Sequence, residues 1–420
     1  MTTLPFDLVV ALDRSDASAA VAVFDLSAGG IAPAEISLAP ETLDIWWTQL
    51  RAKHPDARIA VAFEQPAPNL LAFFAARPPA AILALNPSAI WAYRQSLTVS
   101  RARTDASDAR DIARFVALHA NELTPWCAPD PALRQLDCLG QARRKWVDQR
   151  TAVTNRLQAL LKRYYPQALQ LMHEDIWRPM NVAFLRRWPT PQKLKNARPA
   201  LLEKFFHAHG SRSETRQAER LATVRALVPL CGDTALLTEC ELELEVLLDQ
   251  IEALNRAVSR YDAAIAELFA SFGAKAEIFR ALPGAGPALA PRLFAAVALH
   301  ADQCPNARDF AALSGMAPVT DQSGKMRRVY RRLRCNHFLR QTLHEWAKES
   351  WKHSDWAGAF VALHRAKGKG FHTIIRMLAV KWIRIIWRCW KERRRYDESA
   401  YIKCLRQRGS PVCQFLPPTA

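Results

Sequence analysis

The sequence contains no apolar run long enough to cross a bilayer. Its longest candidate, Leu378 to Trp390, is broken by Lys381, Arg384 and Arg388, and a spanning helix needs roughly 18 to 20 predominantly apolar residues. Met1 to Asp7 lacks the basic start and apolar block of a secretory signal, so a cytoplasmic chain is expected. None of the nine cysteines, at 127, 138, 231, 240, 304, 335, 389, 404 and 413, stands at C-x-x-C spacing from another, which argues against a zinc knuckle or redox pair. Such an odd, dispersed set is read as reduced thiols, most of them small buried apolar side chains. Acidic residues are in short supply: 40 Asp and Glu face 58 Lys and Arg, a net charge of +18. That imbalance implies a large anionic partner, and without a membrane span nucleic acid is the better choice.

With 420 residues, half of them hydrophobic, the chain can bury the cores of two or three domains. Its charge is segregated. Residues 1–123 hold ten basic and thirteen acidic residues, whereas 324–395 hold twenty basic and four acidic. The anion-binding surface is therefore expected near the C-terminus, and the acidic N-terminal part needs another role.

In that part, β-rich runs at Leu8–Asp13, Ala19–Phe24 and Ala34–Leu38 precede a helical pattern through Ile45, Trp46 and Leu50. Arg58–Glu64, a helix near Leu70–Ala76, Ala81–Asn86 and a helix from Asp105 to His119 follow. A three-strand meander followed by alternating helix and strand predicts an α/β domain with a partly parallel sheet. Residues 133–165 and 233–270 read as long helices. The second carries Leu244, Leu247, Ile251, Leu254, Val258, Tyr261, Ile265 and Leu268 at alternating spacings of three and four, an apolar seam for an antiparallel partner, an oligomerising coiled coil or an ordinary helix bundle. Smaller helices between them should cap the far end. Beyond Leu282 come an apolar helix from Ala288 to about Leu299, short helices and basic loops over 304–343, a basic helix from Phe371 to about Arg395, and a loose tail.

Four carboxylates stand where this plan would gather them. Asp13 ends the first strand, Glu64 ends the fourth, and Asp105 and Asp108, three apart, share a helix face. Crowded acids raise each other's pKa, a cost that divalent cations relieve. Asp105 and Asp108 also suit a helix N-terminus capped by Thr104 without any metal, but Asp on strand one, Glu on strand four and Asp on the late helix is how a ribonuclease-H-like fold assembles a metal site. Farther on, Thr320-Asp321-Gln322-Ser323-Gly324-Lys325 is followed by Arg327, Arg328, Arg331, Arg332 and Arg334. There Ser323 is either a nucleophile ringed by arginines or part of a phosphate-contacting turn. Pro283-Gly284-Ala285-Gly286-Pro287 before a helix could grip a phosphate through backbone N–H groups, or be a turn with no ligand. In the basic helix, Trp382, Trp387 and Trp390 are expected to anchor the core while Lys381, Arg384 and Arg388 face phosphate.

Together these residues resemble the insertion-sequence-110 family of transposases over nearly the whole chain, from about Leu8 to Leu405. Within Arg101–Phe115, the run Thr104-Asp105-x-x-Asp108-Ala109-Arg110 carries the likeness most specifically, with Pro283-Gly284-x-Gly286, Gly315-x-Ala317-Pro318, Ser323-Gly324 and Asn336-x-x-Leu339-Arg340 in order behind it. The resemblance implies a RuvC-like domain over 1–130 whose DEDD tetrad, Asp13, Glu64, Asp105 and Asp108, binds Mg²⁺ or Mn²⁺. It implies a helical coiled-coil connector over 131–272, a mainly helical transposase domain over 273–405 with Ser323 as nucleophile, and a flexible tail over 406–420. It also implies a bacterial, nucleoid-associated dimer or tetramer that cuts and rejoins DNA, guided by a non-coding RNA. Gly284, Gly286, Lys325, Arg327, Arg328, Arg331, Arg332, Arg334, Arg340, Lys381, Arg384 and Arg388 would touch nucleic acid. The chain departs from the family's pattern at Asp16 and Arg103, where lysine is frequent, and at Cys335, where glycine is frequent. Two other readings stand beside this one: a structure-selective nuclease using the four acids and water, and a non-catalytic nucleic-acid-binding protein.

Overall fold

Val9, Ala11 and Asp13 share one face of the first strand and Leu8, Val10 and Leu12 the other, as the two-residue period of a strand requires. The computed structural model describes residues 5–64, 67–97, 103–172, 175–301 and 304–417, in two compact units, Met1–Pro129 and Asp130–Ala420. Arg101 of the Thr-Asp motif's flank, and Pro418 of the tail, lie outside the described residues.

The first unit comprises β1 (Leu8–Arg14), β2 (Ser18–Asp25), β3 (Ile31–Ser37), α1 (Pro40–Lys53), β4 (Ile59–Glu64), α2 (Pro68–Ala76), β5 (Ala81–Leu85), α3 (Pro87–Leu97) and α4 (Asp105–His119). The sheet order is β3-β2-β1-β4-β5, antiparallel among the first three strands and parallel between β1, β4 and β5. This is the expected mixed sheet. One face packs on α1 and α2 through Leu43, Trp47, Leu70 and Phe74; the other packs on α4 through Ile112 and Val116. Each such burial contributes about 2 kcal/mol. The α4 face is built largely of alanine, with Ala11, Ala22, Ala60 and Ala62 meeting Ala109 and Ala113, so the helix can lie close on the strands.

The second unit opens with α5 (Pro131–Tyr164), continues through α6 (Pro166–Met172), α7 (Pro179–Arg187), α8 (Pro191–Lys195), α9 (Pro199–Ala208) and α10 (Glu214–Arg225), and returns along α11 (Thr234–Ser271). The two long helices run antiparallel: Leu136 shares a core with Ile265 and Phe269, whereas Leu157 and Leu161 share another with Leu244 and Leu248. Ion pairs Arg143–Asp262 and Arg163–Glu239 set the same register. The five short helices cap the Tyr164 end with Phe184, Trp188, Phe205 and Phe206.

Beyond α11 come α12 (Ala274–Arg280), α13 (Gly286–His300), α14 (Ala307–Leu313), β6 (Val319–Ser323), β7 (Met326–Tyr330), α15 (His337–Ser350), α16 (Asp355–Ala366), α17 (Phe371–Glu392) and α18 (Glu398–Gln407). Trp346, Trp356 and Trp382 are fully buried in the core, where the Trp382 Nε1–H donates to Ser350 Oγ at 2.8 Å.

The structure corrects four readings of the sequence. Helix α3 was not anticipated. Residues 319–330 form a hairpin, not a basic loop, closed by Gly324 and Lys325 with Gly324 at φ +55°, the positive φ that a Gly-first hairpin turn needs. The expected loose tail contains a 3-10 turn at Pro411–Phe415 whose Val412 is buried against the core, an apolar anchor that tertiary packing recruits. Only Cys240, Cys304 and Cys389 of the nine cysteines are buried, because most of the others sit on helix faces and loops that the fold leaves partly open.

Candidate active site

Parallel pairing sets Leu12 beside Phe63, so the next residues, Asp13 and Glu64, leave the carboxyl ends of β1 and β4 side by side. Both continue the alanine-rich face on which α4 lies. The start of α4 is fixed by a capping box: the Ser107 backbone N–H donates to Thr104 Oγ1 at 3.2 Å, and the Thr104 N–H donates to Ser107 Oγ at 3.1 Å. Asp108 then falls one turn before the buried Ile112 and is itself 8% exposed, while Asp105 stays exposed at the first turn.

The cluster is electrostatically coupled. Burial and the negative charges of Asp108, Glu64 and Asp105 push the Asp13 carboxyl up to about 6, against a lowering pull from Arg94. Arg94, on α3, reaches into the group: its Nη1 lies 3.0 Å from Glu64 Oε1, and its Nε lies 3.5 Å from Asp108 Oδ1 and 3.8 Å from Asp111 Oδ2. Arg103 Nη2 donates to Asp108 Oδ2 at 2.9 Å, a second cationic contact to the cluster. Among the described residues no three His, Cys, Asp or Glu side chains close into a metal cage; the guanidinium of Arg94 stands among them instead. The donor set is all carboxylate oxygen, which fits a hard divalent cation.

Ser323 lies in the second unit, exposed at the end of β6. Cross-strand pairing puts it opposite Met326 and puts Asp321 opposite Arg328, and the two-residue period brings all four to one hairpin face. Lys325, Arg327, Arg331 and Arg334 are exposed around it, while Arg332 is half-buried.

Lys381, Arg384 and Arg388 are exposed along one side of α17, whose Trp382, Trp387 and Trp390 are buried. The other proposed contacts differ from one another. Gly284 is wedged against α15, where a Cβ would meet backbone atoms of Glu349 and Ser350 at 3.1 Å, whereas Gly286 opens to space. Arg340 turns toward the Cys335 thiol, with Nη1 3.5 Å from Sγ.

Residues 10–166 match a family described as transposase, and residues 276–362 match the transposase family IS116/IS110/IS902. The chain belongs to the IS110 family of transposases. Transposases of this family cut and rejoin DNA, and so does this enzyme. It is 27% identical over 321 residues to the protein assigned as the mini-circle transposase of IS117 in Streptomyces coelicolor, covering 76% of this chain and 77% of that relative. It is 26% identical over 296 residues to the 44.8 kDa protein of insertion element IS116 in Streptomyces clavuligerus, covering 70% of this chain and 72% of the other. No described helix of the transposase is long and apolar enough to cross a membrane.

Sequence reasoning missed Arg94 and Asp111. The signal for Asp111 was its i+3 spacing from Asp108. For Arg94 itself there was none; only its helix was signalled, by Asn86 before Pro87, where Asn86 Oδ1 accepts the Ser88 N–H at 2.9 Å, a capped beginning with proline at the first helical position.

Proposed function

We propose that this transposase cuts and rejoins DNA with Mg²⁺ held by Asp13, Glu64, Asp105 and Asp108 and with the Ser323 hydroxyl as nucleophile. The observation that carries the reading is the electrostatic influence of Glu64, Asp105 and Asp108 on Asp13 near the carboxyl ends of β1 and β4, two central strands of the mixed sheet. Oxygen donors of this kind suit Mg²⁺ with waters and phosphate, and Mn²⁺ as a substitute. A cation bound there would offset charge on the scissile phosphate and on the departing oxygen. Until then Arg94 and Arg103 balance Glu64 and Asp108.

In the covalent step the Ser323 Oγ–phosphorus bond forms and the bond from phosphorus to one deoxyribose oxygen breaks. The serine proton passes to the Asp321 carboxylate on the same hairpin face, and the departing oxygen takes a proton from solvent. Arg328, across the hairpin from Asp321, faces the charge that builds on phosphorus. Rejoining reverses the exchange: a strand-end hydroxyl attacks the phosphoserine and Ser323 leaves with its proton restored.

Residues 1–130 would thus carry the metal, 131–272 the connector and oligomer contacts, and 273–405 the nucleophile and most nucleic-acid contacts. An RNA encoded by the element would choose the DNA site, since exposed arginines on the hairpin and α17 suit backbone phosphates more than base edges. A dimer or tetramer with contacts in 131–272 is supported by the exposed apolar side chains of Leu242 and Val246, one turn apart on α11.

A denaturing gel of labelled transposon-end DNA incubated with guide RNA and Mg²⁺ tests this. Wild type should give a protein–DNA adduct, Ser323→Ala none, and Asp13→Asn or Glu64→Gln at least a hundredfold less adduct and product. Cleavage retained by Ser323→Ala would move the enzyme to water-based hydrolysis; full activity in Asp13→Asn would remove the metal site.

A further inference from the structure

At the base of the hairpin, between β7, α16, α17 and the 3-10 turn, lies an open cavity of about 650 Å³ whose apolar floor has no part in the strand-exchange reading. Its floor is apolar, formed by Met316, Phe360, Leu363, Met377, Val380 and Val412. Its rim is cationic, and among the described residues no acid lines it. Two polar atoms of the lining are buried without a hydrogen-bond partner: His364 Nδ1 and Arg332 Nε. Leaving such groups unpaired costs stability unless a ligand completes them.

We infer that this cavity takes one unstacked nucleotide of a bound nucleic acid, its base on the apolar floor and its phosphate on the rim. The inference rests on the reading of the chain as an enzyme that handles nucleic acid. The size is suitable, since sites for small ligands run from about 300 to 1,000 Å³. The mixture of surfaces is the second argument. A base is a flat apolar plate with hydrogen-bonding edges, tied to an anion, and the cavity offers an apolar floor, polar atoms in search of partners, and Arg331, Lys367 and Arg376 above. An anionic lipid would satisfy floor and rim but bring its tail, without donors or acceptors, to His364 and Arg332.

Two side chains set the geometry. His364 stands edge-to-face with Phe360, ring centroids 4.4 Å apart, which fixes the ring so that its nitrogens can meet a base edge. Burial, then Lys367, Lys369 and Lys381, holds its pKa below the ordinary imidazole range, so the neutral ring has both a donor and an acceptor. Tyr330, at the end of β7, is 51% exposed beside the cavity, and a base entering would cover that ring by stacking.

The experiment uses the full-length transposase with EDTA and no divalent metal, so that its outcome does not depend on the acid cluster or Ser323. Affinity is measured by fluorescence anisotropy at fixed salt for a DNA duplex with a one-nucleotide bulge, for the same duplex fully paired, and for the RNA counterparts. The bulged form should bind about tenfold more tightly than the paired one, the size of one base stack. His364→Phe and Tyr330→Ala should each reduce that advantage below threefold while leaving paired-duplex affinity within twofold; both sites are partly exposed, and melting curves verify folding. Preference for the DNA or the RNA bulge identifies the source of the nucleotide. Equal affinity for bulged and paired forms would overturn the inference. So would variants that weaken both forms alike, or displacement of the probe by phosphatidylglycerol vesicles but not by an unlabelled bulged duplex.

Discussion

Arg94 Nη1 lies 3.0 Å from Glu64 Oε1, with the arginine side chain 10% exposed and the glutamate 27%. This contact gives the acid cluster a cation of its own, one that balances charge without a metal. Arg94→Met should destabilise the metal-free first unit by about 2 kcal/mol, because Glu64 and Asp108 lose a buried counter-charge. Mg²⁺ should then restore more stability to the variant than to wild type, since a ligand stabilises the folded state by an amount that rises with the logarithm of its affinity. Melting temperatures with and without about 10 mM Mg²⁺ provide the check, under linkage. A variant whose melting ignores Mg²⁺ would argue against a cation among these carboxylates.

The hairpin yields a prediction in which activity and stability part company. Gly324 adopts φ +55° in the turn after Ser323, and a Cβ there would meet nothing within 4 Å. Gly324→Val therefore fails through backbone conformation alone, at a local cost of about 1–2 kcal/mol. Since every residue from Thr320 to Tyr330 is exposed, the melting temperature of the whole protein should move by less than about 2 °C. Adduct formation should fall at least tenfold, because Ser323 loses its register opposite Met326. A variant with full adduct yield would show that the turn does not position the serine.

How much of this was legible in the sequence depended on whether a residue's role was written in local periodicity. Asp13 and Glu64 close runs with a clear strand pattern, and Thr104-Asp105-x-x-Asp108 is a helix start with its cap, so their meeting could be read from topology. The α5–α11 pair was legible for the same reason, since an unbroken seam from Leu244 to Leu268 needs a partner. Arg94 was not legible, because α3 buries only Ile90 and gives almost no apolar period; its guanidinium enters the cluster through tertiary packing. The hairpin was hidden in a similar way. With both faces exposed, β6 and β7 have no alternation to betray them, and a run of arginines reads as loop. Val412 lies among prolines and polar residues, and only the surface of α16 makes it a core residue.

A second buried charge predicts a large loss of stability. Arg292, 7% exposed within α13, donates to Glu345 Oε2 at 2.8 Å and to Thr342 Oγ1 at 2.9 Å. Glu345 also accepts from Arg144 of α5 at 2.8 Å, so one carboxylate balances two arginines from different helices. Glu345→Ala should cost about 3 kcal/mol, because breaking such a group leaves a cation in a low-dielectric core. The denaturation midpoint in urea would report it. Replacing Arg292 with methionine as well should recover part of the loss, since that core then holds no unpaired charge; failure to recover would mean that packing, not charge, dominates.

Gly315 and Cys335 make the sharpest pairwise prediction. Gly315 sits at φ +69°, and a Cβ on it would lie 2.3 Å from Cys335 Sγ and 2.8 Å from Cys335 Cβ. Glycine is thus required twice, for backbone conformation and for space. Gly315→Ala should cost about 3 kcal/mol or more, as the sum of a positive-φ penalty and an overlap that a short, half-buried thiol cannot escape by rotation. Cys335→Gly, which restores the family's frequent residue, removes the overlapping atoms but not the φ. The double variant should therefore regain the overlap part and stay about 1 kcal/mol below Cys335→Gly alone. Additive losses in a thermal double-mutant cycle would show that the loop moves away from α14 instead of pressing the thiol onto Gly315. In that case the approach of β6 and β7 to the core would be set by other contacts, Arg340 on Cys335 being the first to examine.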